Sequence, residues 1–358
     1  MTDSSPVADP RIALSVLDLS PIPSGSTSGD ALRNTIDLAQ HAERLGYTRY
    51  WLAEHHNTAG IASSVPEIMI GHVAEATSTI RVGSGGIMLP NHAPLKVAES
   101  FRVLEALHPG RIDLGLGRAP GTDGITALAL RRSREALTAD DFPEQLGELI
   151  AFLTNGFESD HPFSRITPSP NDVGNPDLYL LGSSGYSAQA SAVLGLGFAF
   201  AHHINPAYAI DALRAYRENF RPSEFYAEPH AILGVSVICG DTDEEAEELA
   251  STVDLMWLRI TSGQTRQKLP SVAEAKAYPW TPAENATRLA NRDRTIVGGP
   301  DTVHARITEL TGLAGVDEVM VMTVIHDHAA RRHSYELLAD VFGVTGGFGA
   351  DPRDHIKV

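Results

Sequence analysis

The sequence has one cysteine, no long apolar run and few basic residues. The single Cys239 excludes an internal disulfide and a cysteine-rich zinc or iron–sulfur site. No apolar stretch approaches the roughly 20 residues of a membrane helix. Residues 1–10 lack the basic start and the apolar segment of a secretory signal. We therefore expect a soluble, cytoplasmic protein with no membrane partner.

The charge balance is strongly acidic. The 28 Lys and Arg residues against 45 Asp and Glu residues give a net charge of −17. Such a surface repels phosphate backbones, so nucleic acid is not an expected partner. A chain of 358 residues with 42% hydrophobic and 20% charged residues is neither disordered nor fibrous. Its length suits two domains or one large α/β barrel.

Short runs rich in Val, Ile and Leu alternate with longer segments of helical periodicity, which is typical of alternating strands and helices. Eight βα units most simply close into an α/β fold of the (β/α)8 TIM barrel type, with a doubly wound sheet as the alternative. We predict one domain over 11–342, with loose tails at 1–10 and 346–358. The predicted strands are 12–17, 49–53, 80–88, 112–116, 177–181, 198–201, 230–238 and 318–324.

Two segments do not fit the repeat and are predicted to be insertions. Residues 117–143 are Gly-rich and then basic, and residues 261–294 are long and polar. Long loops of this kind are commonly functional lids. In a barrel both insertions would border the C-terminal face, where barrel enzymes place their active sites.

An acid and two imidazoles follow the second predicted strand. Glu54, His55 and His56 offer acid and base groups and hydrogen-bond donors near neutral pH. A loop with ordinary surface histidines is the other interpretation. The position at the end of a strand favours function.

Two consecutive glycines, Gly85 and Gly86, interrupt the β-branched third strand. Glycines inside a strand indicate either a packing bulge or a flat ligand lying close to the backbone. Both interpretations remain open from the residues alone.

The fourth strand ends in a Gly-x-Gly pattern at Gly117. The dinucleotide-binding fingerprint fails there, because Pro120 stands at the third glycine position and no helix follows at once. The strand end delivers Arg118, a permanently charged donor suited to a phosphate or an anionic ring. A surface arginine on a loop is the alternative.

Small and hydroxyl residues follow the fifth strand and open a predicted helix. Free N–H groups and the positive dipole end converge at such a helix start, which makes it a good phosphate cradle. The segment lacks the Lys of a Walker loop and the spacing of a nucleophile elbow. A plain helix cap is the other interpretation. The residues are Gly182, Ser183, Ser184, Gly185 and Tyr186.

Late histidines at 202–203 and at 326 and 328 raise the alternative of a metal-dependent barrel hydrolase. The first strand ends at Asp18 without the His-x-His pair that barrel amidohydrolases generally carry. We therefore predict no metal site.

In combination these segments resemble the bacterial luciferase-like flavin-dependent monooxygenase family. The resemblance runs from residue 11 to about residue 338, and residues 317–338 are similar to the single-chain subgroup of that family. The segments that carry it are 18–21, 54–56, 82–94, 109–118 and 182–185.

The resemblance implies a barrel that binds FMN at its C-terminal mouth, with the phosphate in a loop and the ring flat against strand ends. It gives Glu54 and His55 the roles of acid and catalytic imidazole, and it places a non-proline cis peptide at Gly85–Gly86. Gly117 stands where luciferase has a reactive thiol. The implied cofactor-binding residues are Asp18, Gly85, Gly86, Gly117, Arg118, Gly182, Ser183, Ser184, Gly185 and Tyr186.

The function that the resemblance implies is oxygenation of a small organic substrate, aldehyde-like or other, with reduced FMN and O2. Reduced FMN would come from a separate NAD(P)H-dependent flavin reductase, because the chain has no dinucleotide fingerprint. A deazaflavin-dependent hydride transfer on the same barrel is the alternative, and a non-catalytic flavin-binding protein is another. A homodimer is expected through helices at 66–78 and 94–107, whose apolar positions exceed one buried stripe.

Overall fold

The computed structural model describes residues 12–134, 137, 141–264 and 266–344. The strands of these residues form one parallel sheet. They are β1 (Ala13–Asp18), β2 (Arg49–Leu52), β3 (Arg81–Met88), β4 (Ile112–Gly117), β5 (Asp177–Gly182), β6 (Gly197–Ala201), β7 (Ala231–Cys239), β8 (Thr295–Gly298) and β9 (Glu318–Met322).

Eight of these strands close into a barrel. The order runs β6-β5-β4-β3-β2-β1-β9-β7, and β6 pairs with β7 to complete the ring. The predicted (β/α)8 barrel is confirmed. The four-residue strand β8 was not predicted, and it pairs only with the last part of β7, from Ser236 opposite Thr295 to Cys239 opposite Gly298. It therefore lies outside the ring.

Helices cover the outside of the barrel, and their ends follow ordinary capping chemistry. The first helix has a capping box between Thr27 and Asp30 and stops at Gly46, whose φ of 92° lies in the left-handed region. The helices are α1 (Ser28–Leu45), α2 (Pro66–Ala76), α3 (Pro94–Leu107), α4 (Gly124–Arg131), α5 (Phe142–Thr154), α6 (Gly185–Leu194), α7 (Ala209–Asn219), α8 (Asp243–Thr261), α9 (Val272–Ala277), α10 (Pro282–Asn291), α11 (Pro300–Ala314) and α12 (His328–Val341).

Both predicted insertions carry helices of their own. The first contains α4, and α5 begins just inside its predicted end. The second contains α9 and α10, and backbone hydrogen bonds hold it over the loop after β1. Leu269 N–H donates to Ile22 O at 3.0 Å, and Ser24 N–H donates to Leu269 O at 2.8 Å. The second insertion is thereby fixed at the C-terminal end of the barrel.

A buried charge network fills the opposite end of the barrel, where the strands begin. Arg49 donates to Glu318 at 2.8 Å and to Asp113 at 2.9 Å. Arg81 donates to Asp113 at 2.6 Å and also pairs with Asp177. Each buried carboxylate therefore has a cationic partner, as burial of charge requires. This network closes the amino-terminal end of the barrel, so the carboxyl-terminal end of the strands is the open face.

The predicted tails at 1–10 and 346–358 lie outside the described residues. Among the helices that the structure describes, none is both long enough and apolar enough to cross a membrane.

Candidate active site

Glu54 follows β2 and is fully buried. Its carboxylate accepts hydrogen bonds from His56 Nε2 at 2.9 Å, His92 Nε2 at 2.9 Å and the Met88 backbone N–H at 2.8 Å. Burial alone would raise the pKa of Glu54, but the hydrogen bonds from His92, His56 and Met88 outweigh it and lower that pKa. The carboxylate stays ionised at neutral pH and orients two imidazoles.

The next residue, His55, lies in the wall of the barrel mouth. Its side chain lines the mouth cavity, and its Nδ1 is buried without a hydrogen-bond partner among the described residues. Burial lowers the pKa of His55, and nearby His56 adds to this effect while Glu54 opposes it. The imidazole is therefore neutral at pH 7, with a buried nitrogen that a ligand can satisfy.

A second neutral imidazole, His203, follows β6. Its Nδ1 donates to the Gly234 carbonyl oxygen at 3.1 Å, because a carbonyl can only accept. Burial lowers the pKa of His203 to about 4, against the opposing hydrogen bond to Gly234, and His202 and His55 lower it further. The tautomer is thus fixed, with Nε2 as an acceptor. His55 and His203 are close enough to interact electrostatically.

Asp18 ends β1 and is completely buried. Its carboxylate accepts from Thr35 Oγ1 at 2.6 Å, Tyr50 OH at 2.6 Å, Arg331 at 2.7 Å and the Ser20 backbone N–H at 2.8 Å. All four partners belong to the protein, which places Asp18 in the framework beneath the mouth. A cofactor contact at Asp18 stays a prediction that no described contact supports.

The glycine pair in β3 occupies a bulge, and the Gly85–Gly86 peptide bond is cis, as the family resemblance implied. A Cβ at Gly85 would lie 2.6 Å from Leu17 Cδ1, and one at Gly86 would lie 2.6 Å from the Gly115 carbonyl oxygen. Internal packing therefore explains both glycines without a ligand. Contact between these glycines and a flavin ring stays a prediction.

Gly117 and Arg118 lie at the end of β4. A Cβ at Gly117 would lie 2.8 Å from Met88 Sδ, so a larger residue there would displace the flexible end of the Met88 side chain. The exposed Arg118 guanidinium lies 4.3 Å from the centroid of the Tyr186 ring, at the start of α6. The structure thus brings together two residues that were predicted to bind the cofactor from separate motifs.

The start of α6 is an uncapped helix terminus. Ser184 occupies the N-cap position, but its side chain accepts no hydrogen bond from the helix. The loop before it is fixed, since Asn205 Nδ2 donates to the Ser183 carbonyl oxygen at 3.0 Å, and a Cβ at Gly182 would lie 2.6 Å from Ser187. The first turn of α6 and the Arg118 cation therefore lie next to each other, through the contact of Arg118 with the Tyr186 ring.

A cavity of about 420 Å³ opens at the mouth. Residues from both insertions contribute to its wall, among them Gly121 and Leu269. Its volume falls within the range of small-molecule sites. Apolar side chains dominate the lining, including Leu19, Ile61, Val253, Met256, Trp257 and Met322.

His326 and His328 contact different groups and do not form a shared metal site. His326 Nε2 lies 3.2 Å from the Ser24 carbonyl oxygen, and His328 Nε2 lies 2.8 Å from Asp37 Oδ2. Within the described ranges, no group of three or more His, Cys, Asp or Glu side chains is placed to hold a metal ion.

Solved structures share this architecture. The crystal structure of apo-MsnO8 matches with a TM-score of 0.85 at 40% identity, covering 94% of this chain and 98% of that chain. An FMN complex of a type II Baeyer–Villiger monooxygenase from Pseudomonas putida and an F420-dependent secondary alcohol dehydrogenase share the fold at 19% and 12% identity, each with a TM-score of 0.64. The chain therefore shares its (β/α)8 barrel fold with these three proteins.

Sequence similarity narrows the class to a family. A luciferase-like monooxygenase from Escherichia coli K12 is 42% identical over 335 residues, which cover 94% of this chain and 98% of that protein. The N-acetyl-S-alkylcysteine monooxygenase of Bacillus subtilis is 36% identical over 334 residues, or 92% and 98% of the two chains. The luciferase-like monooxygenase family model matches residues 12–318, and the chain belongs to that family. Membership supports an oxidoreductase activity.

Sequence reasoning gave no site role to His92 or Arg259, and it considered His203 only as a possible metal ligand. His92 fixes Glu54 from the loop after β3, His203 provides the second imidazole, and Arg259 lines the cavity from α8. His203 follows a predicted strand, and that position was the available signal. Nothing in a helical pattern tells which side of α8 faces the mouth, so Arg259 required the structure.

Proposed function

We propose that the chain is an FMN-dependent monooxygenase that uses reduced FMN and O2 to oxygenate a small organic substrate in the mouth cavity. The observation that carries the proposal is the unpartnered, buried Nδ1 of His55 in the wall of an apolar cavity at the barrel mouth. An uncapped helix start beside Arg118 lies on the same face. Such a reaction needs an imidazole, a site for an anion and an apolar cavity.

The residues present fit FMN. Its phosphate would bind at the N–H groups that open α6, with Ser183 and Ser184 as hydroxyl donors and Arg118 as the counter-cation. The ring would extend from there toward His55. Reduced flavin supplies the electrons that activate O2 when it is bound. A deazaflavin coenzyme is the alternative, because the shared fold also occurs in an F420-dependent dehydrogenase.

The chain's own groups would hold the reacting atoms and exclude water. Neutral His55 offers Nδ1 to a ligand, either accepting a proton or donating one, depending on its tautomer. Ionised Glu54 would act as a positioning residue, because it orients His56 and His92 and need not transfer a proton itself. Apolar cavity walls limit the access of water to the reacting atoms.

The partners would be a separate flavin reductase and a second copy of the chain. Most of the apolar positions on α2 and α3 pack against their own barrel, but Ile68 is 58% exposed, Val103 46% and Leu107 67%. Exposed apolar groups of this kind on neighbouring helices favour a homodimer through this face.

Labelled oxygen tests the proposed function. Purified protein, reduced FMN and 18O2 are combined with two kinds of substrate. The first is N-acetyl-S-alkylcysteines, the substrate class in the name of the Bacillus subtilis relative, and the second is straight-chain aldehydes. We expect a product that carries one atom of 18O. Reduction of the same compounds by a reduced deazaflavin with no need for O2 would overturn the proposal. Oxygen that comes only from labelled water would overturn it equally.

A further inference from the structure

We propose that the mouth cavity selects a small apolar molecule that carries a carboxylate, and that Arg259 binds this carboxylate. The inference rests on the proposed function, because it names the substrate class of the same site. Arg259 lies in the last turn of α8 and lines the cavity. Its side chain makes no hydrogen bond or ion pair with any residue that the structure describes.

The other cation of the cavity wall is already engaged. Lys268 donates its ammonium to the Ser26 carbonyl oxygen. The acid that Arg259 influences, Glu274, accepts hydrogen bonds from the Ser24 hydroxyl and the Ser271 backbone N–H. Arg259 is therefore the cation that this wall leaves for a ligand.

Neutral polar groups of the wall also have internal partners. Asn57 donates to Asp123 at 2.9 Å, and Gln267 donates to Gln264 at 3.1 Å. Thr58 and Thr122 donate to the His56 carbonyl oxygen, and Ser236 pairs with Thr295. Among the polar groups of the described wall, the His55 and Arg259 side chains and the indole N–H of Trp257 are left without a hydrogen bond, and Arg259 is the one that carries a charge.

This distribution defines a ligand with two features. The apolar walls can contact an alkyl or aromatic body, and the guanidinium can donate two parallel hydrogen bonds to a planar anion. In a protein with a net charge of −17, long-range electrostatics disfavour anions, so a local cation must provide the attraction. A carboxylate on an apolar body meets both conditions.

A matched pair of probes tests the inference. Octanoate and octan-1-ol share an apolar chain and differ in the anionic end, and each is titrated calorimetrically into the full-length protein. We expect octanoate to bind at least tenfold more tightly, which corresponds to about 1.4 kcal/mol. Arg259→Gln should abolish this preference and leave the octan-1-ol affinity unchanged. Arg259→Lys should retain part of it.

Arg266→Gln is the control, because Arg266 is exposed and lies outside the cavity wall. It removes one positive charge and should leave the preference intact. Equal affinities for the two probes in the wild type, or an undiminished preference in Arg259→Gln, would overturn the inference. These titrations need neither flavin nor O2. Failure of 18O transfer with a retained preference would refute the proposed function alone, and the reverse result would refute this inference alone.

Discussion

Replacing Glu54 by Gln removes the charge at the centre of the imidazole cluster while keeping its shape. The carboxylate accepts from His56, His92 and the Met88 N–H, whereas a Gln side chain offers one oxygen and presents an NH2 group to at least one of these donors. Two hydrogen bonds lose charge assistance, at about 1 kcal/mol each, and one donor loses its acceptor, at about 1–3 kcal/mol. We expect Glu54→Gln to lower the free energy of unfolding by about 3–5 kcal/mol.

The assay is urea unfolding of wild type and variant over a range of pH. The lowered pKa of Glu54 contributes stability above its unfolded value of about 4.3, and this is lost as pH falls through the folded pKa. Burial would lower the pKa of His92, but Glu54 raises it, so its contribution is complete below about pH 6.5 and is lost as pH rises. The difference between the two proteins should therefore be largest between about pH 4.3 and pH 6.5.

Glu67→Gln is the matched control, because Glu67 raises the pKa of His92 by its charge and makes no hydrogen bond to it among the described residues. It should change stability by less than about 0.5 kcal/mol. A loss below about 1 kcal/mol in Glu54→Gln, or a difference that does not vary with pH, would refute the positioning role. It would leave Glu54 as the acid that the family resemblance implied.

Three further predictions concern the cofactor, the chemistry and the assembly. Ser183→Asp places a carboxylate at the start of α6 and should weaken FMN binding at least about tenfold, or about 1.4 kcal/mol, by fluorescence titration; unchanged affinity would remove this loop from the site. His55→Ala should lower turnover by about 10²–10⁴ and raise the yield of hydrogen peroxide, with FMN affinity within a few-fold. Wild-type rate and coupling would end that assignment. Light scattering should give about twice the 38.4 kDa chain mass for the wild type and one chain mass for Ile68→Glu; a wild-type monomer contradicts the dimer.

Strands with continuous apolar runs are the part of the fold that the sequence pattern predicts well. β4 and β7 are buried along their whole length, so most of their residues are apolar or glycine. Such buried strands of a parallel barrel are recognisable in the sequence. β8 has four residues and lies outside the ring, and a short run of this kind has no periodicity to detect. The helix α5 begins at Phe142, inside the segment 117–143 that was predicted to be an insertion.

The candidate site divides in the same way. Glu54, His55 and Arg118 stand directly after strands, and the barrel rule locates such residues at the mouth. The roles within the mouth depend on long-range contacts. Three of the four hydrogen-bond partners of Asp18, namely Thr35, Tyr50 and Arg331, lie far from it in sequence, so local patterns do not reveal them. The position of Arg259 in the cavity wall likewise depends on the tertiary structure.

Anaerobic titration with reduced FMN and, in parallel, with a reduced deazaflavin coenzyme tests the central claim most directly. An FMN-dependent enzyme should bind reduced FMN at least about tenfold more tightly, a difference of about 1.4 kcal/mol, and Arg118→Gln should weaken that binding because the counter-cation of the phosphate is lost. Tighter binding of the deazaflavin, or FMN affinity that does not respond to Arg118→Gln, would contradict the claim.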